Sequence, residues 1–154
     1  ETNTLTGEDI YLKEAFMKLV DERAVDMVQP DLASAGGILE TKKIGDYAQE
    51  RGVPMALHFA GTPIAFMANA HSAAATENFI ALEHHSVEIP WWEDMVTGLD
   101  KPLNRDGFLN VPEKPGLGIE LNEEVIREHL AEGEGYFEPT TEWDTDRSWD
   151  RIWS

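Results

Sequence analysis

Apolar positions along the chain follow two periods that alternate in turn. From Tyr11 to Val20 the residues Leu12, Phe16, Leu19 and Val20 recur at helical spacing, which predicts an amphipathic helix with those side chains turned inward. Next comes Val25-Asp26-Met27-Val28-Gln29-Pro30, a short β-prone run whose proline suits a strand's end better than its centre. Ala35-Gly36-Gly37 turns the chain into a second helix from Ile38 to Arg51, with Leu39, Ile44, Tyr47 and Ala48 inward and Gly52 as its stop. Val53-Pro54-Met55-Ala56-Leu57-His58 then reads as a strand. Pro63 to Thr76 reads as an Ala-rich helix opened by Thr62 as N-cap, and Phe79-Ile80-Ala81-Leu82-Glu83 as a further strand. A truncated strand, Thr4 to Glu8, precedes them all. Short apolar strands alternating with helices are the mark of βαβ units around a buried parallel sheet, so the predicted class to Glu83 is α/β.

Beyond Glu83 the alternation stops. Pro90-Trp91-Trp92, Lys101-Pro102, Asn104-Arg105-Asp106-Gly107 and Pro112-Glu113-Lys114-Pro115-Gly116 read as loops and turns. Phe108 to Val111 and Leu117 to Leu121 are expected to pair as a hairpin around the Pro-rich turn, and Asn122 to cap a helix running to Leu130. The stretch from Ala131 to Ser154 is acidic and carries Trp143, Trp149 and Trp153, indoles costly to leave in water, so it is expected to wrap over a protein surface.

Charge narrows the partners. With 12 Lys and Arg against 30 Asp and Glu the net charge is −18, which repels polyanions and leaves few cations to neutralise phosphate. Nucleic acid and an anionic membrane leaflet are therefore not expected as partners. Apolar runs fall short of the roughly 18 residues of a membrane span. The absence of Cys removes disulfides, thiolate metal sites and a Cys nucleophile. No basic segment leading into an apolar one opens the chain, so the expected location is the cytoplasm.

Parallel α/β sheets bind ligands at the carboxyl ends of their strands, where the connecting loops open. Four candidate residues end successive predicted strands: Glu8, Asp31, His58 and Glu83. Three carboxylates and an imidazole at one mouth suit metal-assisted acid/base chemistry, with a carboxylate for a hard cation, a His titrating near neutrality and an Asp to orient it. Each has a plainer reading as well. Asp31 is well placed to cap the helix after it, Glu8 to favour a helix N-terminus, and Glu83 to be a solvated rim charge. His84 and His85 follow Glu83, but neighbours on a strand face opposite ways, so at most one is expected at the mouth. His71 is expected to be a packing residue, and Trp91-Trp92 to lie at a subunit interface.

Thr6-Gly7-Glu8-Asp9, Val28-Gln29-Pro30-Asp31-Leu32-Ala33-Ser34-Ala35-Gly36-Gly37-Ile38, Val53 to His58, Phe79 to Glu83 and Lys114-Pro115-Gly116-Leu117-Gly118-Ile119 together carry a family resemblance. The chain resembles the C-terminal half of an enolase-superfamily barrel of the mandelate racemase subgroup, in particular the acid-sugar dehydratases of the galactonate dehydratase type. The spacings of 23 residues from Glu8 to Asp31 and 27 from Asp31 to His58 match that subgroup. The resemblance implies a TIM-type (β/α) barrel represented by about strands 5 to 8 over residues 1–88, a segment returning toward the capping region over 89–130, and the tail at 131–154. It implies that Glu8 is a ligand to a catalytic Mg²⁺, His58 the general base, Asp31 its hydrogen-bonded partner, and Glu83 an acid facing the substrate carboxylate. The implied reaction removes the proton α to a carboxylate and eliminates the β-hydroxyl of a small sugar acid, giving a 2-keto-3-deoxy acid. A racemase, epimerase or cycloisomerase on the same scaffold is the alternative within enzymes; a non-catalytic half-barrel or acidic interaction module is the alternative outside them. A full barrel takes about 250 residues. The earlier strands, two metal ligands and any Lys base are then expected outside this chain, which alone is expected to be inactive, and the parent enzyme is expected to be a homo-oligomer.

Overall fold

In a computed structural model, which describes residues 2–136, four strands lie side by side in sequence order as one parallel sheet. They are β1 (Leu5–Thr6), β2 (Met27–Val28), β3 (Met55–Leu57) and β4 (Phe79–Leu82). The register pairs Leu5 with Met27, Val28 with Met55 and Leu57 with Leu82, and it shifts at Met55/Ala56. Helix α1 (Leu12–Asp21) joins the first two strands, α2 (Leu32–Ala35) and α3 (Gly37–Gln49) the next two, and α4 (Pro63–Ala74) the last two. This is the expected α/β alternation with crossover helices.

Phe16 and Val20 of α1, Ile44 and Ala48 of α3, and Val28, Met55 and Leu57 of the sheet form one buried cluster. Leu12 and Leu39, expected in that core, are instead 53% and 69% exposed. Leu12 has φ 62 where α1 begins, so the helical period does not yet govern its direction. Only the later turns of α3 bury their apolar side chains, Ile44 and Ala48 among them. The N-terminus of α1 has no cap from its own Tyr11; Glu40 of α3 accepts from the Lys13 N–H at 2.8 Å and so ties the two helices. In α4 the expected cap is present, with Thr62 Oγ1 accepting from Ala65 N at 3.5 Å and Pro63 in the first turn.

A second cluster, Phe59, Phe66, Trp92, Val96 and Leu103, joins the loop after β3 to the segment beyond the sheet. Two small antiparallel pairs shape that segment. Strand β5 (Val96–Thr97) pairs with β8 (Glu120–Leu121), and β6 (Asn104–Arg105) with β7 (Phe108–Leu109). This corrects the expected pairing of Phe108–Val111 with Leu117–Leu121. Asp106 and Gly107, at φ 54 and 82, both take the left-handed region that a two-residue primed turn requires, so β7 folds back on β6 immediately. The strand left over, β8, finds β5.

Helix α5 (Glu123–Glu128) falls in a unit distinct from residues 1–122. Within it Arg127 pairs with Glu123 at 3.0 Å. Trp143, Trp149 and Trp153 lie outside the described residues. Among the described residues no helix is long and apolar enough to cross a membrane.

Candidate active site

All four candidate residues sit just past the carboxyl ends of the parallel strands, and three carboxylates surround one imidazole. His58 Nδ1 lies 2.8 Å from Asp31 Oδ2, its Nε2 lies 2.9 Å from Glu8 Oε2, and Glu83 Oε2 stands 3.6 Å from the same Nε2. Backbone pairing sets this geometry. Asp31 and His58 form a parallel bridge beyond the strands, with the His58 N–H donating to Pro30 O at 3.1 Å, and the Glu83 N–H donates to Leu57 O at 3.0 Å. Side chains one register step apart thus point into a shared mouth.

Asp31 serves two partners. Its Oδ1 accepts from the N–H groups of Ala33 and Ser34 at 2.8 and 3.2 Å, capping α2, while Oδ2 holds His58. One side chain thus caps α2 through one oxygen and contacts His58 through the other. Glu8 follows Gly7, whose φ of 143 is open to glycine and whose Cβ, were there one, would stand 2.6 Å from Phe16 Cε1. Glycine lets the chain press against α1 and Gln29 before it delivers Glu8. The Glu8 carboxylate is 57% exposed, whereas those of Asp31 and Glu83 are 15% and 34% exposed.

Burial pushes the Glu83 carboxyl up, but the hydrogen bond from His85, the Phe59 N–H and the charges of His58 and His85 outweigh it, so its pKa lies below the ordinary carboxylate value. His85 Nε2 is 2.7 Å from Glu83 Oε1, and the Phe59 N–H donates to Oε2 at 3.3 Å. Of the two neighbouring histidines only His85 joins the mouth. His84 stacks on Phe66 with ring centres 4.8 Å apart and accepts at Nδ1 from the Asn104 amide at 3.1 Å. His71, on α4, lies 3.3 Å from Leu117 O through Nε2 and remains apart from the site.

Trp92 corrects the interface expectation. It is 3% exposed, packs edge-on to Phe59 at 6.0 Å, and donates its indole N–H to Gly61 O at 2.7 Å. It thereby pins both ends of the Phe59-Ala60-Gly61 loop that follows His58. Sequence reasoning missed this support and the His85–Glu83 bond. The available signals were a tryptophan amid polar loop residues, and a histidine two positions beyond a strand-end carboxylate.

Among the described residues no group of three or more His, Asp or Glu side chains is arranged to hold a metal ion. Glu8 is a hard oxygen donor exposed at the mouth, which suits Mg²⁺ as one ligand of several. The described residues do not complete such a site alone.

The family model of enolase C-terminal domain-like proteins matches residues 1–125. The chain belongs to this family. Among relatives of this enolase-type domain, it is 42% identical over 137 residues to the D-xylonate dehydratase of Haloferax volcanii, a match covering 89% of this chain and 33% of that protein. It is 34% identical over 127 residues to the D-galactonate dehydratase of Xanthomonas campestris pv. campestris, covering 79% and 33%. In three dimensions the enolase-type domain is similar to the mandelate racemase/muconate lactonizing enzyme-like protein of Rubrobacter xylanophilus, with a TM-score of 0.85 and 40% identity over 90% of this chain and 35% of that one. The chain thus spans about a third of the length of these relatives. The parallel α/β sheet agrees with the C-terminal barrel part of such proteins.

Proposed function

We propose that this chain is the C-terminal barrel segment of a Mg²⁺-dependent acid-sugar dehydratase in which His58 is the general base. The observation that carries the reading is the 2.8 Å contact of His58 Nδ1 with Asp31 Oδ2 at the strand ends. Similarity to relatives named as dehydratases of D-xylonate and D-galactonate supports it.

Asp31 accepts, so it selects the tautomer with the proton on Nδ1; Nε2, 2.9 Å from Glu8 Oε2 in this structure, offers its lone pair as the base once Glu8 is engaged by Mg²⁺ instead. A sugar acid whose C2–H points at Nε2 gives up that proton. The electron pair left on C2 forms the C2=C3 bond as the C3–O bond breaks, and the departing hydroxyl takes the proton from the imidazolium to leave as water. The enol then ketonises to a 2-keto-3-deoxy acid, with one water lost and no change in total oxidation state. Asp31 stabilises the imidazolium between the two transfers. When bound through Glu8 and ligands outside this chain, Mg²⁺ supplies Lewis-acid stabilisation of the charge that builds on the substrate carboxylate. Glu83, whose Oε2 stands 3.6 Å from the same Nε2, would face the substrate's carboxylate end. Like charges cannot share that space, so an anionic substrate favours the protonated form of Glu83.

The test incubates the full-length protein with Mg²⁺ and a panel of aldonic and aldaric acids, with and without EDTA, and assays 2-keto-3-deoxy acid. Product from at least one acid, abolished by EDTA, is expected. If no acid gives keto product, the dehydratase reading fails; uptake of solvent deuterium at the α-carbon would then point to an epimerase on the same dyad.

A further inference from the structure

Glu83 has two carboxylate oxygens with different surroundings. Oε2 meets the Phe59 N–H at 3.3 Å and stands 3.6 Å from His58 Nε2, while Oε1 meets His85 Nε2 at 2.7 Å. The terminal torsion of a glutamate is broad, so one long N–H contact leaves the carboxylate free to turn. Anchoring the second oxygen removes that freedom. The same bond draws Glu83 toward the rim and keeps Oε2 beyond hydrogen-bond reach of His58 Nε2. The nitrogen that would take the substrate proton is thus not blocked from that side. His85 itself is 53% exposed, and its ring centre lies 6.5 Å from that of His58. It belongs to the mouth without touching the dyad.

We propose that His85 is the positioning residue of Glu83, orienting its carboxyl toward the substrate and holding it off the base. The proposal rests on the dehydratase reading for its catalytic consequence, while the His85–Glu83 coupling itself can be measured without substrate. The groups facing Glu83 are His58, His85 and the Phe59 N–H, and those facing His85 are Glu83 and, through its charge, His84.

The experiment uses the full-length protein with His85→Leu and His85→Gln. Glutamine keeps an N–H donor of similar reach; leucine does not. His85→Leu is expected to lower kcat about 10- to 100-fold, the cost of a misplaced group near the chemistry, with KM changing less than about threefold. His85→Gln is expected to recover to within about threefold of the wild type. In protein labelled with ¹³C at glutamate carboxyls, the Glu83 titration midpoint is expected to rise in His85→Leu, since burial then loses its main counterweight, and to rise less in His85→Gln. A wild-type kcat in His85→Leu, a loss that glutamine does not recover, or an unmoved Glu83 titration each overturns the proposal. Should the wild type lack activity on every sugar acid, the dehydratase reading fails, and the carboxyl titration still decides whether His85 holds Glu83.

Discussion

Asp31 carries its two roles on separate oxygens, and that separation makes them experimentally divisible. Oδ1 caps α2 through Ala33 and Ser34, while Oδ2 orients His58. Asparagine retains an oxygen for the cap but cannot offer a second, charged acceptor to the imidazole. Asp31→Asn is therefore expected to reduce kcat of the full-length enzyme about 100-fold or more while stability changes by less than about 1 kcal/mol. Asp31→Ala loses both, and adds a loss of about 0.5–2 kcal/mol in denaturant titration. Equal stability loss in the two variants would sink this division. The four strand-end residues were legible in the sequence because a strand's last residue is marked by the loop after it, and Pro30 and the Phe59-Ala60-Gly61 run mark two such ends. His85 was not legible in its role: alternation along an extended strand does place it on the face of Glu83, but whether it bonds to that carboxylate depends on side-chain torsions.

At the scale of elements, the hairpin of β6 and β7 shows how a short local signal defeats a longer one. Two β-prone runs flanking a Pro-rich turn suggested the wrong partners, while Asp106-Gly107 already specified a two-residue reversal between Asn104–Arg105 and Phe108–Leu109. Asn104 ties that hairpin in two ways, its amide donating to His84 Nδ1 and its Oδ1 accepting from the Gly107 N–H at 3.0 Å. Burial lowers the pKa of His84, with Glu93 opposing and His85 assisting. Its Nε2 is also buried with no hydrogen-bond partner among the described residues, so a charge there is poorly solvated. The unfolded chain then binds a proton near the ordinary value of 6.5 that the folded chain resists. Stability must fall as pH drops below that value and level off only below the folded pKa. Thermal unfolding of the wild type and of His84→Gln, which keeps an acceptor for Asn104, is expected to show that loss only in the wild type. Identical pH slopes would exclude His84 as its source. The four sheet strands and the helices between them were legible because short β-prone apolar runs alternate with stretches of helical spacing; Leu12 and Leu39 misled because the first turn of a helix can face outward even when its spacing fits.

For the whole molecule, a net charge of −18 on 154 residues makes self-repulsion a destabilising term that salt can screen. Raising KCl from about 0.01 M to about 1 M shortens the Debye length from roughly 30 to 3 Å, and the melting temperature is expected to rise across that range. A falling melting temperature would show that attractive ion pairs, such as Arg51–Asp21 at 2.6 Å, outweigh the repulsion. The outer strands of the sheet carry exposed apolar side chains, Leu5 at 41% and Ile80 at 57%. Such edges call for cover by further protein, in keeping with a chain that spans about a third of its relatives' length. What the remaining two thirds of those relatives add was legible from neither sequence nor fold of these residues. The claim on which the rest depends is that His58 takes the α-proton, and it is tested most directly with His58→Asn in the full-length protein supplied with Mg²⁺ and its sugar acid. Formation of 2-keto-3-deoxy acid is expected to drop by about 10²- to 10⁴-fold, the usual worth of a positioned base, with the fold intact by circular dichroism. Product at the wild-type rate in that variant would contradict the account.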